Sequence, residues 1–218
     1  MDPELRQYSW IDKIINGVDT ACRTMATGAR VHDRARPDLH LETDGVSLTP
    51  QESQLAGRLL RVDHCGEICA QGLYQGQALT ARDPKVAEKL SQSAKEENDH
   101  LAWCEARLEE LKTRPSYLNP LWYAGSFMLG ALAGLAGDRW SLGFVVETEN
   151  QVMTHLDSHL KRLPEVDYKT RVILQQMQSD EGEHADKALK AGATELPNGV
   201  KKMMTGCAKI MTTLAFWI

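Results

Sequence analysis

The chain has 218 residues, 42% hydrophobic and 25% charged, enough for one well-packed globular unit of ordinary composition. A formal net charge of −5 provides no basic field, which excludes a nucleic-acid binder. Five cysteines, an odd number with no Cys-x-x-Cys, point to free thiols in a reducing compartment rather than a disulfide framework.

The opening MDPELRQYSW carries acids and no apolar run, so no secretory leader is expected. Residues 1–20 read as a short amphipathic helix on Leu5, Tyr8, Trp10, Ile11, Ile14, Ile15 and Val18. Residues 28–48 read as a polar connector whose Arg30, Arg34 and Arg36 belong on a solvated face. Residues 1–48 are therefore expected to form a leading helix and connector, and 49–218 the main domain.

The first long helix should open at Thr49. A threonine followed by Pro50 and, three residues on, by Glu52 is a capping box with proline in the first turn. This helix is expected to run to about Thr80, turn at Ala81-Arg82-Asp83, and return from Pro84 to about Lys112. A second hairpin is expected from Asp138 to about Arg162 and from Tyr168 to about Ala191, turning at Leu163-Pro164-Glu165. Strand signals are scarce, so the chain reads as all-α.

Between the hairpins, residues 115–137 contain no charged side chain, and the strong apolar run is Leu121 to Ala136. That run is short for a membrane span of ~20 residues; it reads as a helix lying in or on a membrane face or packed in the core, with a true span as the third alternative. The segment from Val200 to Ile218 pairs Lys201, Lys202 and Lys209 with Met203, Met204, Ile210, Met211, Leu214, Phe216 and Trp217, an interfacial pattern.

Each hairpin carries Glu-x-x-His on its second helix: Glu97 with His100, and Glu181 with His184. Positions i and i+3 share a helix face, so each motif aims a carboxylate and an imidazole at one point. Counting back from each turn, the residue level with Glu97 is near Glu67, and the residue level with Glu181 is Glu147 or Glu149. Glu149 shares a face with Val152, Met153 and Leu156, which favours it. Glu96 and Glu183, one step off the motif face, should face solvent.

Four buried carboxylates and two imidazoles at one level of a bundle would be prohibitive without compensation. Two divalent cations cancel four negative charges, and a Glu from each of two helices with Glu-x-x-His from the other two is the di-iron or di-manganese ligand set of ferritin-like bundles. Oxygen-rich donors with one imidazole per ion suit iron or manganese and lack the thiolates of structural zinc. The expected architecture is thus a ferritin-like four-helix bundle of two antiparallel hairpins, with extra membrane-facing amphipathic helices.

From about Leu59 to the C-terminus the chain resembles the demethoxyubiquinone hydroxylase family, the di-iron monooxygenases of ubiquinone biosynthesis. The resemblance rests on RVDHCGE (61–67), EENDHL (96–101), ETENQVMTHLDSHL (147–160) and DEGEHAD (180–186), in family order and spacing. The family's Glu six residues before a His selects Glu149, with His155 as that His. The resemblance implies iron at Glu67, Glu97, His100, Glu149, Glu181 and His184. It also implies two irons per chain, O2 as co-substrate and a polyprenyl quinol as substrate. Peripheral attachment to the cytoplasmic face of the inner membrane is implied too, with partner proteins of ubiquinone biosynthesis and a homo-oligomer as further possibilities. No Gly-x-Gly-x-x-Gly and no iron–sulfur cysteine cluster is present, so electrons must come from an external donor, ultimately NADH in the family.

Metal-bound histidine usually donates its other N–H to a carboxylate, and Asp63 and Asp180 are placed for that role or are surface acids. His155 is expected to orient a ligand or the substrate, or to be a packed core histidine. Tyr74 is expected to line the pocket or the core. His64, Cys65 and Cys69 are expected to pack, and His159 to face solvent.

Overall fold

The computed structural model describes residues 10–26, 33–41 and 47–218, which form seven helices and no strand among them. These are α1 (Trp10–Met25), α2 (Pro50–Thr80), α3 (Pro84–Glu110), α4 (Asn119–Leu135), α5 (Asp138–Arg162), α6 (Tyr168–Lys190) and α7 (Asn198–Trp217). Helix α1 continues five residues beyond the expected Thr20 to Met25; Leu5 and Tyr8 lie outside the described residues.

The start of α2 follows the sequence reading. The Thr49 side chain accepts from the Glu52 N–H, and Glu52 returns the bond to the Thr49 N–H at 2.8 Å. Asp83 caps α3 and Asp167 caps α6 with their side chains.

Helices α2 and α3 form one antiparallel hairpin and α5 and α6 the other; α3 packs against α6, and α2 against α5. The core has two apolar layers. One joins Leu59, Leu60, Trp103, Leu108, Leu156, Ile173, Leu174 and Met177. The other joins Ala70, Tyr74, Val86, Leu90, Ala94, Leu142, Val145 and Ala188. On every helix of the bundle the two layers leave a gap of similar length, and into those gaps fall Glu67, Glu97, Glu149 and Glu181. The carboxylates are therefore walled off from water on both sides.

Helix α4 lies along α2 in close backbone contact, because glycines face it from both sides. A methyl group on Gly72 or Gly76 would strike the α4 backbone at Tyr123 and Phe127, and one on Gly130 would strike the backbone of Leu73. The Gly130-x-x-x-Gly134 spacing is thus a packing seam. The opposite face of α4 is open: Leu121, Met128, Leu132 and Leu135 are exposed, as are Ile210 and Trp217 on α7. No described helix is long and apolar enough to cross a membrane. Gly137, at φ 120°, makes the left-handed corner between α4 and α5 that a side chain would strain.

The connector departs from the expected solvated basic face. Arg34 pairs with Asp99 at 2.7 Å and with Asp180 at 2.8 Å, and it stacks over Trp103. Arg36 binds Asp38 at 2.5 Å and also Glu110. Asp99 on α3 and Asp180 on α6 are buried, and Arg34 of the strap of residues 33–41 supplies a cation to both. Arg30 lies outside the described residues.

Candidate metal centre

Glu67, Glu97, His100, Glu149, Glu181 and His184 converge between the two apolar layers, and all six are buried. They form two overlapping sets. Glu67, Glu97, His100 and Glu181 bring their donor atoms within 4.8 Å of one another, and so do Glu97, Glu149, Glu181 and His184.

Glu97 and Glu181 belong to both sets, and their oxygens divide between the two imidazoles. Glu97 Oε2 lies 2.9 Å from His100 Nδ1, and Glu97 Oε1 lies 3.0 Å from His184 Nδ1. Glu181 Oε1 lies 3.2 Å from His100 Nδ1, and Glu181 Oε2 lies 3.0 Å from His184 Nδ1. Glu67 approaches only His100, at 3.6 Å. Glu149 lies in the other set, where its carboxylate accepts the Tyr74 hydroxyl. Glu147, the alternative on α5, turns outward to Gln151 and Lys201.

The electrostatics are those of a site short of positive charge. Burial, then the charges of Glu97 and Glu181, drive the Glu67 carboxyl well above its ordinary pKa, despite the hydrogen bond from His100. Burial with Glu181 and Glu97 does the same to Glu149. Burial would lower His184, but hydrogen bonds and charge from Glu181 and Glu97 push it up to about 12; His100 rises well above normal for like reasons. Glu97, although buried, is held far below the carboxylate range by the two imidazoles. Glu67 Oε2, both oxygens of Glu97 and His100 Nδ1 have no well-aligned hydrogen-bond partner. Oxygen donors aimed inward, unpartnered and in charge excess fit a pair of divalent cations.

The outward nitrogens are held crosswise. His100 Nε2 on α3 meets Asp180 Oδ2 on α6 at 2.9 Å, and His184 Nε2 on α6 meets Glu96 Oε2 on α3 at 2.8 Å. The expectation that Glu96 faces solvent is therefore corrected. It is partly buried between His184 and Lys187, because an acid just before the motif Glu points across the helix pair. The signal was present, since both motifs read acid-Glu-x-x-His. Glu183 is exposed as expected.

Asp63 touches neither of those imidazoles. It lies 2.8 Å from His159 Nδ1 and 3.9 Å from His155 Nε2. His159, expected in solvent, is buried, because the α5 face that carries Leu156 turns it towards α2. His155 is partly exposed, with Nε2 3.9 Å from Asp63. Tyr74 is buried with its ring 6.5 Å from that of His184. Buried His64 contacts Glu105 and Asn119, and Cys65 packs with Val62 and Ala215. All five cysteines are free.

The geometry agrees with what known sequences show. Residues 54–215 match the family model described as ubiquinone biosynthesis protein COQ7. A curated protein of Nitrosococcus oceani named 3-demethoxyubiquinol 3-hydroxylase is 48% identical over 99% of this chain and 100% of its own length. Proteins of the same name from Polynucleobacter asymbioticus and Legionella pneumophila are each 52% identical, over 96% and 98% of this chain and 100% of theirs. With a family model spanning most of its length and relatives matched from end to end, the chain belongs to the COQ7 family of ubiquinone biosynthesis proteins.

Proposed function

We propose that this chain is a di-iron monooxygenase that uses O2 to hydroxylate the ring of a polyprenylated demethoxyubiquinol. The observation that carries the reading is the division of Glu97 and Glu181 between the two imidazoles, one oxygen to each. Glu97 and Glu181 would be shared by a pair of ions, which Glu67 and His100 would hold on one side and Glu149 and His184 on the other.

When bound, the iron pair supplies reductive activation of O2. The chain does the rest. Asp180 and Glu96 hold Nε2 of His100 and His184, which leaves both Nδ1 atoms facing inward. Tyr74, raised well above its ordinary pKa by burial and by the Glu149 charge, keeps its proton and donates a hydrogen bond to Glu149. The apolar layers exclude water, which strengthens every charge interaction between them. Electrons come from outside the chain, with NADH as ultimate donor.

The substrate class favours a membrane face. The open apolar faces of α4 and α7 support peripheral docking on a bilayer, where a polyprenyl quinol resides, and the family resemblance implies that this docking is on the cytoplasmic side of the inner membrane.

The experiment is metal analysis of anaerobically reconstituted protein, followed by incubation with reductant, O2 and a demethoxyubiquinol. Two irons per chain and a product heavier by one oxygen are expected. Glu97→Ala and His184→Ala should lose both. Iron retained by both variants would overturn the site, and a loaded protein that leaves the quinol unchanged would overturn the reaction. Liposome flotation tests docking: Leu132→Glu together with Ile210→Glu should abolish flotation and leave iron content intact.

A further inference from the structure

We propose that Asp63, His155 and His159 form a third metal site, separate from the Glu/His centre and taking one divalent transition ion of the zinc or cobalt kind. Three observations carry it.

The first is geometry. His155 and His159 stand at i and i+4 on α5, the spacing that places two imidazoles on one helix face as a chelating pair. Asp63 reaches them from α2, so the donors come from two packed helices. Its Oδ1 lies 2.8 Å from His159 Nδ1 and 3.9 Å from His155 Nε2, and the three donor atoms all lie within 4.8 Å of one another. Donors about 2.0–2.1 Å from a tetrahedral ion stand roughly 3.3 Å apart, which the observed separations bracket.

The second is a shortage of partners. The Asp63 side chain is completely buried. Neither of its oxygens has an aligned hydrogen-bond donor, and neither His155 Nε2 nor His159 Nδ1 has an aligned partner. The 2.8 Å approach of His159 lacks the direction of a hydrogen bond. A carboxylate in this position costs several kcal/mol unless a cation meets it. Arg162 is near enough to weigh on His155, but its guanidinium stacks over Phe216.

The third is access. His155 is 32% exposed while Asp63 and His159 are closed, which leaves an entry and an open coordination position on its side. The site shares no ligand with the Glu/His centre. His155 lies six residues from Glu149, roughly 9 Å along the α5 axis.

The test uses the full chain, loaded anaerobically with Fe(II), desalted, then titrated with Co(II). Visible absorption reads the cobalt environment, and metal analysis reads both ions. The parent should retain one cobalt per chain with iron content unchanged. His155→Ala and His159→Ala should retain none, and circular dichroism checks that each is folded; His155, partly exposed, is the variant that tolerates truncation. The proposal is overturned if the parent retains no cobalt, if both folded variants retain as much as the parent, or if iron leaves as cobalt enters. Should iron not load at all, the parent must still retain one more cobalt per chain than either variant, so failure of this site and failure of the di-iron reading are separable.

Discussion

Glu96 on α3 holds His184 on α6 through a 2.8 Å contact to Nε2, the mirror of the 2.9 Å contact by which Asp180 on α6 holds His100 on α3. Each acid precedes a motif glutamate on its own helix and serves the histidine of the other. The two Glu-x-x-His helices thereby lock each other's imidazoles. Carboxylates of this kind fix ring orientation, and their loss typically lowers metal affinity about 10–100-fold. Glu96→Gln and Asp180→Asn should each weaken Fe(II) binding by that order in anaerobic titrations. Glu183→Gln, at an exposed spacer position inside the second motif, should change nothing.

The proton balance of the centre gives a pH dependence. Glu67, Glu149, His100 and His184 all have raised pKa values in the folded, metal-free protein. A raised folded pKa gives stability that is complete below the unfolded value and is lost as pH rises. For the two carboxyls that loss begins above about 4.5, and for the two imidazoles above about 6.5. The metal-free protein should therefore melt at a higher temperature at pH 5 than at pH 8, and Glu67→Gln with Glu149→Gln should flatten the trend. Iron binding should release protons and tighten as pH rises, because the ligands must shed them. Thermal melts in chelator and potentiometric titration measure the two halves.

Much of the centre was legible because helical geometry is rigid. A capping box fixes where α2 begins, prolines fix the turns, and from those points the level of Glu67 and Glu149 follows by counting. The sequence was mute where tertiary contacts rotate a side chain by one position. Glu96 sits one step from a motif face and His159 three residues beyond Leu156, and only the partner helix decides whether such a residue meets solvent or a neighbour. The strap was mute for another reason. Nothing around Arg34 says that Asp99 and Asp180 wait for it 65 and 146 residues further along the chain (99 − 34 and 180 − 34). Distances in sequence of that kind have no local signal.

The glycine seam between α2 and α4 sets a stability prediction. Replacing glycine by alanine within a helix ordinarily stabilises it by about 1 kcal/mol. At Gly76 and Gly130 the added methyl meets backbone of the facing helix, which cannot step aside as a side chain can. Gly76→Ala and Gly130→Ala should destabilise by about 1–3 kcal/mol in denaturant melts. Gly125→Ala, with nothing within 4 Å of its methyl, should leave stability unchanged or raise it slightly. A stable Gly130→Ala protein would mean that α4 stands further from α2 than described here.

Arg34 extends the support of His100 outward, since it pairs with Asp180 at 2.8 Å and with Asp99 at 2.7 Å. Asp180 is also bound by His100 and Gln176, and these bonds, against burial, hold it down at about 2. Removing Arg34 therefore leaves Asp180 ionised and its bond to His100 intact. The arginine side chain is 41% exposed, so water and salt screen its charge and its worth is about 1 kcal/mol or less. Arg34→Ala should weaken Fe(II) binding by a few-fold at low salt and by less at high salt, well short of Asp180→Asn. In the double variant the two effects should not add, because the arginine acts only through the aspartate. Additive losses in anaerobic titrations would show that Arg34 reaches the centre by another path, for which its stacking over Trp103, whose ring lies 5.4 Å from that of His100, is the candidate.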